Sequence, residues 1–384
     1  MYTRREGIKE GGDAATCGLI KLPAYCLSIL LQTEPNQEKT RSSIMVWPFS
    51  SPERTSVSED ELLDLRGKVA IVTGGNSGIG YATVRVLARR GAKVYLAARS
   101  EERARAALAQ LADEQRNAPG STVPYGEVEW LKLDLSDIRQ TKAAAEEVIR
   151  KEKRLDILVN NAAIGNVPYT YTADGLLEIM VVNHISPFLF TLTLLPLLQQ
   201  TATSDPAADV RIVNLSSDAH TFAPHVSTFI GDEALNKHYE DTWLGHFRTY
   251  GYTKLANILF TSELARRLSS SSSSPNSSNI TTLSVHPGNV STPGSQQVTN
   301  TVPYLGWLTT RLSAWMSTTP KEGAYTSLFA AAHPEVKQNR EKYNGVYLVP
   351  VGKVGKISEN AQDERLAREL WETTERKMKE LGAL

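Results

Sequence analysis

"KVAIVTGGNSGIG", Lys68 to Gly80, joins an apolar run to a glycine-rich turn and then to a helical pattern. Val69 to Val72 carry no polar side chain, so the run reads as a strand covered on both faces. Its glycines fall where strand gives way to helix, the context in which such a loop carries meaning. Gly74 permits the tight turn. Gly78 and Gly80 let backbone and helix N-terminus approach a pyrophosphate, with Asn76, Ser77 and Ile79 completing the loop. The spacing is Gly-x-x-x-Gly-x-Gly and differs from the G-x-G-x-x-G fingerprint.

The same alternation continues outward. "AKVYLAA" leads into an Arg- and Ala-rich stretch beyond Glu101, and "VEWLKLD" precedes "DIRQTKAAAEEVIRKEKR". "LDILVNNAA" precedes a long helical region from about Asp174 to Leu198. "VRIVNLSS", a helix through "YGYTKLANILFTSELARRL", "ITTLSVHPG" and "GVYLVP" follow, and a charged helix closes the chain. Uninterrupted apolar strands alternating with helices predict an α/β protein. The expected architecture is a Rossmann-type doubly wound parallel sheet of about seven strands with helices on both faces, in one domain over 65–384.

Residues 1–64 read as an extension, disordered by composition. Within it "CGLIKLPAYCLSILL", Cys17 to Leu31, is apolar but interrupted by Lys21 and Pro23. It falls short of the roughly 20 apolar residues of a spanning helix and lies too far in for a signal peptide. A shallow membrane or partner contact and a targeting role are the alternatives. Met45 is an alternative start, which would leave the first 44 residues outside the working protein. Two further stretches break the pattern: a polar and aromatic insertion over 218–249, and a Ser-rich loop over 269–279 whose Asn276 and Asn279 begin N-x-Ser/Thr sequons best read as chance. With no secretory signal, a cytoplasmic and not a secreted protein is expected.

The 42 Lys and Arg residues balance 42 Asp and Glu residues, which argues against a polyanion-binding surface and hence against nucleic acid. The two cysteines, Cys17 and Cys26, both precede the domain. Thiolate chemistry, disulfides and cysteine-held zinc are therefore excluded from it, and no metal is expected.

At the end of the second strand the chain reads "YLAARSEER". An NAD site would place an acid there to accept from the ribose hydroxyls; here Ala98 is followed by Arg99. A guanidinium can pair bidentately with a 2′-phosphate, so NADP(H) is the expected cofactor. In "HFRTYGYTKLANILF" two tyrosines precede one lysine. Helix residues advance by about 100°, which puts Tyr250 and Lys254 on one face and points Tyr252 away. A nearby ammonium favours a phenolate, so Lys254 is expected to lower the pKa of Tyr250.

"TGGNSGIG", "LVNNAA", "VNHISPF", "IVNLSSDAH", "YGYTKLAN" and "HPGNVST", in this order, resemble the motifs of the short-chain dehydrogenase/reductase family. "SSDAH" and "TKLAN" are closest to its retinol-dehydrogenase-like branch. The resemblance covers about Leu65 to Leu381. It implies that Tyr250 is the proton donor or base, with Lys254 lowering its pKa and bonding the nicotinamide ribose. It further implies that Ser217, the second of the paired serines, polarises the substrate oxygen, and that Asn183 holds a water beside the lysine. Asp134 and Leu135 match adenine contacts, Asn161 a cofactor contact, and Val290 and Thr292 the groups on the nicotinamide carboxamide. Ala163 and Ser186 depart from the pattern, each standing where glycine is usual. Members are often dimers or tetramers and some associate with membranes, so a homodimer and a membrane contact both stay open.

The implied reaction is hydride transfer between carbonyl and alcohol on a lipophilic small molecule. A substrate lid is expected over about 293–320, where Trp307, Leu308, Trp315 and Met316 form either an apolar wall or the buried side of a helix. Two other functions compete. An epimerase or dehydratase of the same superfamily is disfavoured by the glycine spacing, and a non-enzymatic NADP(H)-sensing regulator could dispense with the tyrosine–lysine pair.

Overall fold

The computed structural model describes residues 55–117, 124–204, 207–270, 279–288, 290 and 319–384. Thr292, the expected lid apart from its last two residues, the two cysteines and Asn276 lie outside them. Strands β1 (Val69–Thr73), β2 (Lys93–Ala98) and β3 (Val128–Lys132) alternate with helices α1 (Gly78–Arg89), α2 (Glu101–Arg116) and α3 (Ile138–Lys151). After β4 (Ile157–Asn160) the short α4 (Glu178–Met180) passes through a π turn, Val181–Ile185, into α5 (Ser186–Ser204). Next come β5 (Val210–Leu215), a 3-10 turn at Asp218–Phe222, α6 (Asp232–Leu235), α7 (Trp243–Ser270) and β6 (Ile280–Val285). The C-terminal part holds α8 (Pro320–Ala332), α9 (Pro334–Gln338), α10 (Arg340–Tyr343), β7 (Tyr347–Val349), β8 (Lys353–Val354), α11 (Glu359–Gln362) and α12 (Glu364–Glu380).

The strands form one sheet in the order β3-β2-β1-β4-β5-β6-β7-β8. All neighbours pair in parallel except β7 and β8. The sheet thus has eight strands where about seven are expected. The extra one is a two-residue return strand, too short to leave an apolar pattern in the sequence. The order in which strands are added reverses between β1 and β4, opening a crevice beyond the carboxyl ends of the strands, where ligands of such folds bind.

Alternate side chains of β1 enter different layers. Ala70 and Val72 pack with Leu87 and Phe329 on one face, and Val69 and Ile71 with Phe188, Phe260 and Trp371 on the other. This two-sided burial is why the strand lacks polar alternation. The run Glu178–Ser204 is long and apolar enough to cross a membrane, but 78% of its apolar window is buried inside the fold, as in a core helix.

The expected boundary at residue 64 needs correction. Val57, Leu62 and Leu65 are buried in the β1 layer, the Leu63 amide donates to the Ala332 carbonyl at 3.0 Å, and Arg90 grips the carbonyls of Leu62 and Leu63. The segment from residue 55 therefore belongs to the folded body. Ser269 and Ser270 likewise end α7 instead of beginning a loop. The Asn279 amide is buried, donates to the Ala202 carbonyl at 3.1 Å and accepts from Arg340, so this sequon is structurally engaged.

The insertion is built, and it is fastened to the C-terminus. Asp232 pairs with Arg376 and Lys377, Glu369 accepts from the Thr228 hydroxyl and the Phe229 amide, and Asn360 bonds Val226 and Pro224.

Candidate active site

The glycine loop lies at the crevice. Gly74 and Gly78 have φ of +65° and +55°, a region that favours glycine. A Cβ on Gly80 would stand 2.3 Å from the Gly74 carbonyl and 2.6 Å from Asn161 Nδ2, so a side chain there would push the loop off the helix. Asn161 fastens the loop from below, donating its Nδ2 to the Thr73 carbonyl at 2.7 Å. Ser77 precedes α1 with extended backbone but its hydroxyl does not cap the helix, whereas Ser100, Asp137, Thr319 and Asp363 cap α2, α3, α8 and α12. The first amides of α1 are thus left for a phosphate. Asn76 and Ile79 complete the loop, and Gly323 of α8 leaves room for Ile79 and Val290: a Cβ at 323 would lie 2.5 Å from Val290 Cγ2 and 3.2 Å from Ile79 Cγ1.

The other cofactor candidates surround this loop. Arg99 follows β2 directly and is exposed, with no hydrogen bond or ion pair among the described residues. The Asp134 carboxylate accepts from the Ser136 amide and hydroxyl through Oδ1. The Leu135 carbonyl accepts from the Ser186 hydroxyl at 2.7 Å, which gives the departure at Ser186 a use: its oxygen anchors the turn after β3. Ala163 is exposed.

Across the crevice, β5 and α7 bring Ser217, Tyr250 and Lys254 together. The Ser216 hydroxyl donates to the Lys254 carbonyl at 2.7 Å, locking strand end to helix and leaving Ser217 to face the site. Ser217 Oγ accepts from the Ala219 amide and donates to Asp218 Oδ1 at 3.1 Å. Lys254, 2% exposed, donates Nζ to the Leu215 carbonyl at 3.1 Å and stands 5.5 Å from the Tyr250 ring centroid. Tyr252 is buried on the other side, stacked on Phe229 and donating to the Ala234 carbonyl at 3.0 Å.

The electrostatics of the pair runs opposite to expectation. Tyr250 is partly exposed as a residue, yet burial around its hydroxyl pushes the phenol up to about 12, against the lowering effect of the neighbouring Ser217 hydroxyl. Burial also pulls Lys254 down to about 8. The physical reason is that the ammonium bonds a strand-end carbonyl and has no carboxylate partner among the described residues, so desolvation outweighs attraction for both groups.

Asn183 sits in the π turn, 1% exposed. Its Oδ1 accepts from the Ile164 amide at 2.9 Å, and its Nδ2 donates to the Ile164 carbonyl and to Thr253 Oγ1, which in turn donates to the Tyr250 carbonyl. Its amide therefore braces the loop after β4 against the helix that carries Tyr250.

Reading the sequence for motifs passes over Gly251. A Cβ there would lie 2.4 Å from the Ala219 carbonyl, so α7 presses backbone to backbone against the turn carrying Ser217. A glycine inside a long helix costs about 1 kcal/mol relative to alanine, and that cost was the available signal. Gly251→Ala is expected to lower kcat about tenfold through displacement of the turn, despite the better helix former. Kinetics with a thermal melt check this; unchanged kcat would mean the turn yields freely.

The sequence model of short chain dehydrogenases matches residues 68–228. A short-chain dehydrogenase/reductase of Armillaria gallica is 43% identical over 322 residues, covering 84% of this chain and 96% of its own length. The chain belongs to the short-chain dehydrogenase family. Retinol dehydrogenase 14 of Mus musculus is also similar, 37% identical over 81% of this chain and 86% of its own length. Among solved structures, an uncharacterized protein from Mycobacterium paratuberculosis aligns with a TM-score of 0.58 at 28% identity, covering 85% of this chain and 98% of the other. Levodione reductase, at 19% identity and a TM-score of 0.55, shares the fold. As a retinol-dehydrogenase-like member of this family, the protein is an oxidoreductase that interconverts carbonyl and alcohol with a nicotinamide dinucleotide. The loop at Gly74–Gly80 and the uncapped α1 fit that cofactor.

Proposed function

We propose that the protein is an NADP(H)-dependent carbonyl reductase or alcohol dehydrogenase for a lipophilic substrate. The observation that carries this reading is the convergence of Ser217, Tyr250 and Lys254 at the crevice beside the glycine loop. Bound NADP(H) supplies or accepts the hydride. Tyr250 gives its proton to the carbonyl oxygen in reduction and takes it back in oxidation. The Ser217 hydroxyl turns from Asp218 to the substrate oxygen and meets the charge growing there. Lys254 steadies the phenolate and holds the ribose, while Asn183 keeps the helix and the loop after β4 in register. Asp134, Leu135, Asn161 and Val290 are assigned to the adenine and nicotinamide ends.

The phosphate preference rests on Arg99, a guanidinium unpaired among the described residues, at the carboxyl end of β2 with the α2 N-terminus beside it. Arg99→Asp is expected to shift the NADPH-to-NADH preference about 100-fold toward NADH. Cofactor titration of both forms measures this, and an unshifted preference would remove Arg99 from the site.

The apolar preference rests on an aromatic row leading to Tyr250. Trp243 and Phe247 stack with centroids 5.6 Å apart and planes 5° apart, Phe222 meets Phe247 edge-on at 5.3 Å, and Phe247 lies 6.4 Å from the Tyr250 ring. Phe222 is 58% exposed and Leu244 47% exposed, an apolar surface beside the proposed proton donor. An NADPH oxidation screen over aromatic, polycyclic and small polar carbonyls tests the reading. Aromatic and polycyclic compounds should lead; NADPH binding without reduction of any carbonyl would favour a sensing role instead.

A further inference from the structure

His220 is 1% exposed and lies outside the groups assigned above. Its Nδ1 is 2.8 Å from the Ser217 carbonyl, an atom that can only accept. Its Nε2 is 3.2 Å from the Ser358 amide, which can only donate. One tautomer satisfies both contacts: Nδ1 carries the proton and Nε2 offers its lone pair. The ring is held edge-on against Tyr347 with centroids 5.1 Å apart, which fixes its plane. The Ser217 carbonyl also receives the His220 amide at 3.1 Å, so a single residue grips it twice.

We infer that His220 is a positioning residue, a tautomer-locked strut that sets the Ser217 hydroxyl by holding the Ser217 carbonyl against the C-terminal segment at Ser358. Ser217 leaves β5 with extended backbone, φ −161° and ψ 157°, and its hydroxyl direction follows from where its carbonyl is pinned. Burial lowers the pKa of His220, so the ring stays neutral and keeps the Nε2 lone pair that the Ser358 amide needs. The inference rests on the proposed role of Ser217 and adds to it a dependence on the far end of the chain.

Two amide side chains separate the strut's halves. Asparagine places a donor near Nδ1 and keeps the Ser217 contact alone; glutamine places an acceptor near Nε2 and keeps the Ser358 contact alone. With NADPH and naphthaldehyde, His220→Ala and His220→Gln should lose about 10- to 100-fold in kcat, with NADPH affinity unchanged. His220→Asn, which keeps the Ser217 contact but loses the Ser358 end, should lose about three- to fivefold, less than His220→Gln. A glutamine variant as active as the asparagine one, or an alanine variant at wild-type kcat, overturns the inference. So does loss of NADPH binding in His220→Asn, which would make the residue a requirement of folding. Independently of turnover, NMR of the histidine ring nitrogens in the full chain should report Nδ1–H and a bare Nε2; a proton on Nε2 refutes the strut. Wild-type inactivity together with that tautomer would instead count against the proposed reaction, leaving the strut itself in place.

Discussion

Tyr250→Phe is expected to lower kcat for NADPH-dependent carbonyl reduction by about 1,000-fold, with NADPH affinity kept within about twofold. The phenol is the one proton-carrying group that the helix places beside both Ser217 and Lys254, and phenylalanine retains its packing against Phe247. Hydride and proton must both reach the carbonyl, so loss of the acid leaves the oxygen charge to Ser217 and water. Steady-state rates combined with a fluorescence titration of NADPH separate the two quantities. Activity within tenfold of wild type would transfer the proton to another group and dismantle the proposed mechanism.

Lys254→Met is expected to lower kcat by about 100-fold or more while making the protein more stable. The ammonium is buried with no carboxylate beside it among the described residues, and its pKa falls from 10.5 to about 8. At pH 7 that shift corresponds to a native-state penalty of about 3 kcal/mol, which methionine removes. The sign follows from proton binding. The folded pKa lies below the unfolded one, so between about 8 and 10.5 the unfolded chain holds the proton more tightly. The wild-type penalty is therefore full below about pH 8 and fades as pH rises toward 10.5. Melting curves at neutral pH should place the variant a few degrees above wild type, and the gap should narrow in alkaline buffer. A variant less stable at pH 7 would mean that the Leu215 contact outweighs desolvation.

Much of this was legible in order along the chain. The sheet announced itself because parallel strands are covered on both faces, so that in the first of them Val69 to Val72 are all apolar. The glycines declared the loop because backbone at positive φ and close approach both demand them. Helix geometry put Tyr250, and not Tyr252, on the face of Lys254, while the role of the pair came from the ordered motifs around it. What stayed hidden depends on burial or on distance. Whether Lys254 pulls the phenol down, or burial pushes it up, cannot be read from spacing, since the answer turns on a carbonyl at the end of another strand. His220 gave no sign because its partner Ser358 is 138 residues away. Val57 and Leu62 looked like part of a polar extension, and only their seats under α1 and α8 make them core.

The fastening of the insertion to α12 has an evolutionary corollary. Asp232 meets Arg376 and Lys377, and Thr228 meets Glu369, so two stretches far apart in the gene form one seam. A change on one side of that seam strands its partner on the other. Paired changes at 228–232 and 369–377 should therefore be tolerated where single ones are not.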